Sequence, residues 1–306
     1  MNTSPVLAPV PPMVSRACGL FLRSPAKAAE RLATGSRTAV YRVALHYGPS
    51  VIVKLYSHTA LRNALTEATA IRAVSAAVPV PSVLGYGTTS TAGATALITS
   101  DLGLDTLGSA MRSGGILRPQ ALRDLGTLLG RMHEAPIAGT APRRPVVDMV
   151  ASLSRRCPSD VIDRLAPALT LITGTPDEAS VVWCHGDPHL DNVVLSGTQQ
   201  TRQLVDFTDA APRRREADLA HALVMTDAHG QRDRHALLGA YPHSVSDAHL
   251  DAWAAFTTVS CWTHASPGNE QTIWSDQLAE LSRRTPQLFR PRSGHSHAPH
   301  ARRRAR

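Results

Sequence analysis

The sequence predicts an α+β fold in two lobes. Three observations carry this. The first third reads as β-strands around a single Ala-rich helix, and the remainder reads as helices with a few short apolar strands. Polar runs rich in Asp, His and Asn sit between those later strands. The chain has 306 residues, 43% of them hydrophobic and 18% charged. That is enough apolar surface for a sizeable core, organised as one large domain or two lobes, and it excludes a disordered body.

Residues 1–15 carry no early Lys or Arg, and prolines break their apolar stretch, so they read as a loose leader rather than a secretory signal. A short helix is expected from Val14 to Glu30. Strands follow over Ala39–His46 and Ser50–Tyr56, joined at Tyr47-Gly48-Pro49. The small polar stretch Ala33–Thr38, with Gly35 and Ser36 at its centre, is placed to loop over a ligand. Leu61, Leu65, Ala68, Ile71 and Val74 recur at helical spacing within Thr59–Ala77, which Pro79 and Pro81 terminate.

Two further strands are expected at Val83–Tyr86 and Ala94–Thr99, then helices at Leu107–Arg112 and Pro119–His133. Residues 134–146 form a Pro/Ala-rich connector. A helical stretch over Val147–Leu171 is expected to break at Pro158 and Pro167. Short strands follow at Val181–Trp183, Val193–Leu195 and Gln203–Val205, and helices run from Ala217 to Leu288. The Arg/His/Pro-rich residues 290–306 read as an untethered tail. The expected divisions are therefore 1–15 leader, 16–101 N-lobe, 102–289 C-lobe and 290–306 tail.

Charge is unevenly spread. Residues 1–144 hold 15 basic and 6 acidic side chains, residues 145–289 hold 11 and 18, and the tail holds six Arg and no acid. A nucleic-acid binder needs one continuous basic face, and aromatics make up only 4% of the chain, so no nucleic-acid partner is expected. The pattern suggests an anionic ligand in front and a cationic one behind. No apolar run approaches the roughly 18 residues of a membrane span. Cys18, Cys157, Cys184 and Cys261 form no CxxC pair and suit a reducing cytoplasm as buried small apolar residues. Only two of the 32 basic residues are lysines, Lys27 and Lys54, so a lysine inside an apolar strand stands out.

The chemistry concentrates in His185-Gly186-Asp187-Pro188-His189-Leu190-Asp191-Asn192. An Asp followed five residues later by an Asn suits phosphoryl transfer. Asp187 can accept a hydroxyl proton, and Asn192 can offer an oxygen to Mg²⁺. Asp206, in Leu204-Val205-Asp206-Phe207-Thr208-Asp209, ends an apolar strand where a carboxylate can hold a metal against nucleotide phosphates. Lys54, in Val51-Ile52-Val53-Lys54-Leu55, puts an ammonium within reach of phosphates. Glu67 is the only acid between residues 31 and 100 and is its natural partner. The two histidines of the polar run are expected to orient it through hydrogen bonds.

HGDPHLDN, LVDFTDA and VIVK, in this order and spacing, resemble the aminoglycoside phosphotransferase family over roughly residues 30–260. Val78-Pro79-Val80-Pro81 and Leu128-Leu129-Gly130-Arg131-Met132-His133 add to the likeness. The resemblance implies a bilobal protein-kinase-like fold, with a small β-rich N-lobe and a larger, mainly helical C-lobe. It implies Asp187 as catalytic base, Asn192 and Asp206 as Mg²⁺ ligands, and Lys54 with Glu67 as the pair that positions ATP or GTP. Gly35 and Ser36 would cover the phosphates, and the base would lie against the backbone at Ser100 and Leu102. The acceptor would be a hydroxyl on a small, cationic molecule such as an aminoglycoside, with antibiotic resistance as the role. A metabolic kinase acting on an amino alcohol or sugar is the alternative, and a nucleotide-binding module without turnover is the rival outside enzymes. The sequence departs from the family where Arg213-Arg214-Arg215 replaces the usual Gly-Asp-Pro, and Asp218-Leu219-Ala220 follows in register.

Overall fold

The computed structural model describes residues 9–34, 38–57, 61–89, 94–137, 145–175, 181–265 and 268–289. Gly35, Ser36 and the tail 290–306 lie outside the described residues.

The N-lobe is built on a five-stranded antiparallel sheet. Its strands are β1 (Ala26–Thr34), β2 (Thr38–Leu45), β3 (Val51–Tyr56), β4 (Val83–Thr88) and β5 (Thr95–Ser100), in the order β1-β2-β3-β5-β4. The two-residue period of a strand sorts β3 cleanly. Val51 and Val53 turn to one face, where they pack with Val43, Ala96 and Ile98 against helix α1 (Pro12–Leu22). Ile52 and Lys54 turn to the other face and line a cleft. Lys54 pairs across the sheet with Val40 and Leu97, so its position is fixed on both sides.

Two expectations are corrected here. Helix α1 begins at Pro12, inside the stretch read as a leader, because Val14, Ala17 and Cys18 cover the outer face of the sheet. It ends at Leu22, where Arg23 adopts a left-handed conformation (φ 54°) ahead of Ser24-Pro25. The helix-favouring run Ala26–Thr34 is a strand, because pairing with β2 outweighs its intrinsic propensity.

Helix α2 (Leu61–Val74) packs on the cleft side of the sheet through Ala64, Ala68, Ile71 and Val74, with Glu67 on the same face. Small alanines let the helix approach closely. Leu65, expected on that face, is 52% exposed instead.

The C-lobe is mainly helical: α3 (Leu107–Arg112), α4 (Arg118–His133), α5 (Val146–Ser154), α6 (Ser159–Thr173), α7 (Arg215–Met225), α8 (Gln231–Leu238), α9 (Asp247–His264) and α10 (Asn269–Arg284). Pro158 separates α5 from α6 as expected. Pro167 does not break α6, and runs inside it. Two antiparallel strand pairs complete the C-lobe. One is β6 (Val181–Cys184) with β9 (Ala211–Arg214), and the other is β7 (Val193–Ser196) with β8 (Thr201–Leu204). Strand β9 falls on the arginine run and was not anticipated. Arg213 and Arg214 pair with Val182 and Val181, and the Arg214 side chain is 5% exposed beside Glu216 at 3.6 Å.

A backbone bond ties the lobes together, with Leu204 N–H donating to Pro79 O, and within the C-lobe Leu195 N–H donates to Asp105 O. The connection between the lobes is latched by Asp101, which accepts from Arg42 Nε (2.6 Å), Ser50 Oγ (2.6 Å) and Gly103 N–H (2.9 Å). No helix among the described residues is long and apolar enough to cross a membrane.

Helices α4 and α8 meet at Gly126. A Cβ there would lie 2.1 Å from the Leu237 carbonyl oxygen, which is backbone and cannot step aside. Gly126→Ala is expected to destabilise the protein by about 1–3 kcal/mol through overpacking, read as a lower midpoint in urea denaturation.

Candidate active site

A cavity of about 260 Å³ opens between the lobes. Val40, Ile52 and Leu97 form its N-lobe wall, and Leu104, Val194 and Val205 form its C-lobe wall. Lys54, Glu67, Ser100, Leu102, Asn192 and Asp206, singled out from sequence, all line it.

Strand β3 and helix α2 bring Lys54 and Glu67 together. The ammonium is 3.1 Å from both Glu67 carboxylate oxygens, and the two residues are 8% and 3% exposed. From the C-lobe, Asp206 Oδ1 reaches the same ammonium at 2.7 Å and Thr208 Oγ1 at 2.6 Å. Thr208 also donates to Glu67 Oε2 or Asp206 Oδ1, at 3.1 and 2.6 Å. Tyr56 O–H donates to Glu67 Oε2. Burial by itself would lower the Lys54 pKa, but the charges of Glu67 and Asp206 outweigh it and hold the ammonium above its ordinary value. For Asp206 burial acts to raise the pKa, and the Lys54 charge reverses it to a net lowering. Asp206 adopts φ 63°, a left-handed backbone that Asp tolerates better than most residues.

The polar loop after β6 is pinned from three sides. The His185 N–H and Gly186 N–H donate to the two oxygens of Asp218 on α7, at 2.9 and 2.8 Å. His185 is fully buried, and desolvation lowers its pKa. Its Nε2–H donates to Val205 O at 2.9 Å, and its Nδ1 accepts the Asp187 N–H at 3.4 Å. The Asn192 amide donates to Asp187 O at 2.9 Å. Gly186 has φ 87°, and a Cβ there would meet Asp209 O at 2.3 Å, so both backbone shape and space require glycine.

The Asp187 carboxylate sits between two imidazoles, with His189 Nε2 3.5 Å from Oδ2 and His221 Nε2 3.3 Å from Oδ1. Burial alone would raise its pKa. The hydrogen bonds from His189 and His221 prevail and hold it well below the usual carboxylate range. Burial, and then the charge of Asp187, push the thiol of Cys261 on α9 up to about 11. Asp191 turns away and is clamped by Arg112 at 2.8 and 3.0 Å and by Thr106 at 2.9 Å.

His133, Cys184 and Asp218 cluster within 4.8 Å of one another and are buried. Their polar atoms are already engaged. His133 bonds Asp218 (3.0 Å) and Tyr241 O–H (2.8 Å), and Cys184 Sγ–H donates to Arg214 O (3.4 Å). The cluster is a hydrogen-bonded anchor for the loop. Burial tends to raise the Asp218 pKa, but His133 and its other partners lower it from 3.8 to about 2. A depressed carboxylate stabilises the fold fully above its unfolded pKa, and this is lost as pH falls through the folded one. Urea titrations between about pH 5 and 2 should therefore show on the order of 2 kcal/mol lost, and Asp218→Asn should flatten that acid limb.

Thr208, Tyr56, His221 and the His133–Tyr241 pair were not singled out from sequence. Thr208 and His133 lay within quoted motifs, and His221 lay one turn beyond Asp218. None carried a pattern of its own.

Comparison with known proteins agrees with this architecture. No curated protein matches by sequence. Among solved structures, the GDP complex of wild-type aminoglycoside 2′-phosphotransferase-IIIa superposes with a TM-score of 0.64 at 15% identity, over 90% of this chain and 97% of that one. A spectinomycin phosphotransferase bound to ADP and spectinomycin gives 0.63 at 12%, over 92% and 100%. A choline/ethanolamine kinase family protein from Mesorhizobium loti gives 0.59 at 14%, over 90% and 91%. The shared fold is the bilobal protein-kinase-like one. A family model described as the phosphotransferase enzyme family matches residues 28–256, so the chain belongs to that family.

Proposed function

We propose that this protein transfers the γ-phosphoryl group of ATP or GTP to a hydroxyl of a small molecule. The observation that carries the reading is the Lys54 ammonium, held at once by Glu67 of the N-lobe and Asp206 of the C-lobe at the mouth of an apolar cleft. The cleft walls suit a nucleotide base, with the backbone at Ser100 and Leu102 to read its edge, and Lys54 then aligns the phosphates. Asp187 orients the acceptor hydroxyl and takes its proton as the new O–P bond forms.

The donors present fit Mg²⁺. The Asn192 nitrogen is engaged by Asp187, which leaves its amide oxygen to offer, and the Asp206 side chain is 45% exposed. Both are hard oxygen ligands, and phosphates and water would complete the shell. When bound, the ion neutralises charge on the phosphates. Rate then comes from positioning and electrostatics.

A cationic acceptor such as an aminoglycoside, with antibiotic resistance as the role, is the first reading. It is supported by the acidic balance of residues 145–289. A metabolic acceptor such as an amino alcohol or sugar is favoured by how those acids are used. Asp191, Glu216, Asp233, Asp247, Asp251 and Glu280 all face arginines. Labelled Mg·ATP and Mg·GTP, offered with a panel of aminoglycosides, spectinomycin, amino alcohols and sugars, separate the readings. Asp187→Ala serves as the blank. Mg²⁺-dependent nucleotide binding without transfer to any acceptor would sink the enzymatic reading.

A further inference from the structure

We propose that His221 on α7 is the positioning residue for the Asp187 carboxylate, a role that rests on Asp187 taking the acceptor proton. Among the described residues, the other polar groups on Asp187 come from its own loop. His185 meets its N–H, Asn192 its carbonyl, and His189 and Asn192 stand 3.5 and 3.4 Å from Oδ2. Oδ1 faces the side chain of His221, from another element, at 3.3 Å. Such a contact fixes the rotation of the carboxylate about its last bond, which the loop alone leaves to two long contacts on one oxygen.

The placement on α7 adds to this. Residues three apart share a helix face. Asp218 therefore holds the loop backbone at His185 and Gly186, while His221, on the same face one turn later, holds the side chain. One rigid helix, buried through Leu219, Ala220, Ala222 and Leu223, sets both. The His221 and Asp187 side chains are each partly exposed, so the pair stands at the solvent edge.

The test compares His221→Leu, which removes the ring donor, with His221→Gln, whose amide N–H reaches about as far. Phosphoryl transfer is measured from Mg·ATP to the best acceptor found, or to water as basal hydrolysis. His221→Leu should lower kcat about tenfold or more while the Mg·ATP dissociation constant by calorimetry stays unchanged, and His221→Gln should recover most of the loss. If His221→Leu does not fold, His221→Asn, whose amide falls short of Asp187, replaces it. An unchanged kcat, equal losses in both variants, or a loss confined to nucleotide affinity overturns the proposal. A second readout needs no turnover. The ring nitrogen NMR shifts of His221 should move in Asp187→Asn, and unmoved shifts overturn the contact. A wild-type protein without turnover sinks the proposed function, while this measurement still judges His221.

Discussion

Asp187→Ala is expected to remove phosphoryl transfer while leaving nucleotide binding and folding intact. On the proposed function the variant loses its general base, an effect of about 10²- to 10⁴-fold. It also loses a fixed negative group beside the reacting hydroxyl, worth about 3–4 kcal/mol by comparison with other preorganised groups. Folding should survive because the loop is held by Asp218, His185 and Asn192 through backbone atoms that alanine retains. Single-turnover transfer and calorimetric Mg·ATP titration on the same preparation check both halves. Strong residual transfer would remove Asp187 from the chemistry.

The second large effect belongs to Lys54→Ala. Here stability and activity should fall together. Glu67 is buried, and without the ammonium its remaining partners among the described residues are Tyr56 and Thr208. Breaking a buried pair from one side costs about 3–5 kcal/mol, because the remaining charge is left uncompensated. Urea denaturation should show that loss, and Lys54→Ala/Glu67→Gln should recover part of it by removing the stranded charge. On the proposed function, transfer should stay abolished in the double variant, since the ammonium that aligns the phosphates is still missing. Recovery of transfer there would refute a phosphate-aligning role for Lys54.

Much of this was legible from the residues. VIVK announced a strand with a lysine, and the period of two explains why that lysine shares a face with Ile52 rather than Val53. The lone acid on α2 pointed to Glu67, although helical phase did not settle its direction; the sheet packed against Ala64, Ala68 and Ile71 does. What escaped was tertiary. Ala26–Thr34 has helix-forming residues, and only β2 beside it makes it a strand. The arginine run marked a departure from the family's Gly-Asp-Pro, and its strand was not legible: Arg213 and Arg214 pair with β6, with the Arg214 side chain turned inward beside Glu216. Thr208 and His221 act through neighbours more than ten residues away in sequence, such as Lys54 and Asp187, and no local spacing encodes such a meeting.

The strand that carries the ammonium has no free side. The cleft takes one face and α1 takes the other. Drift at Val51 or Val53 must therefore be matched by α1, or it tilts the ammonium away from the cleft. Sequence change is more readily absorbed at exposed C-lobe positions, such as His264 on α9, than in a strand held on both faces.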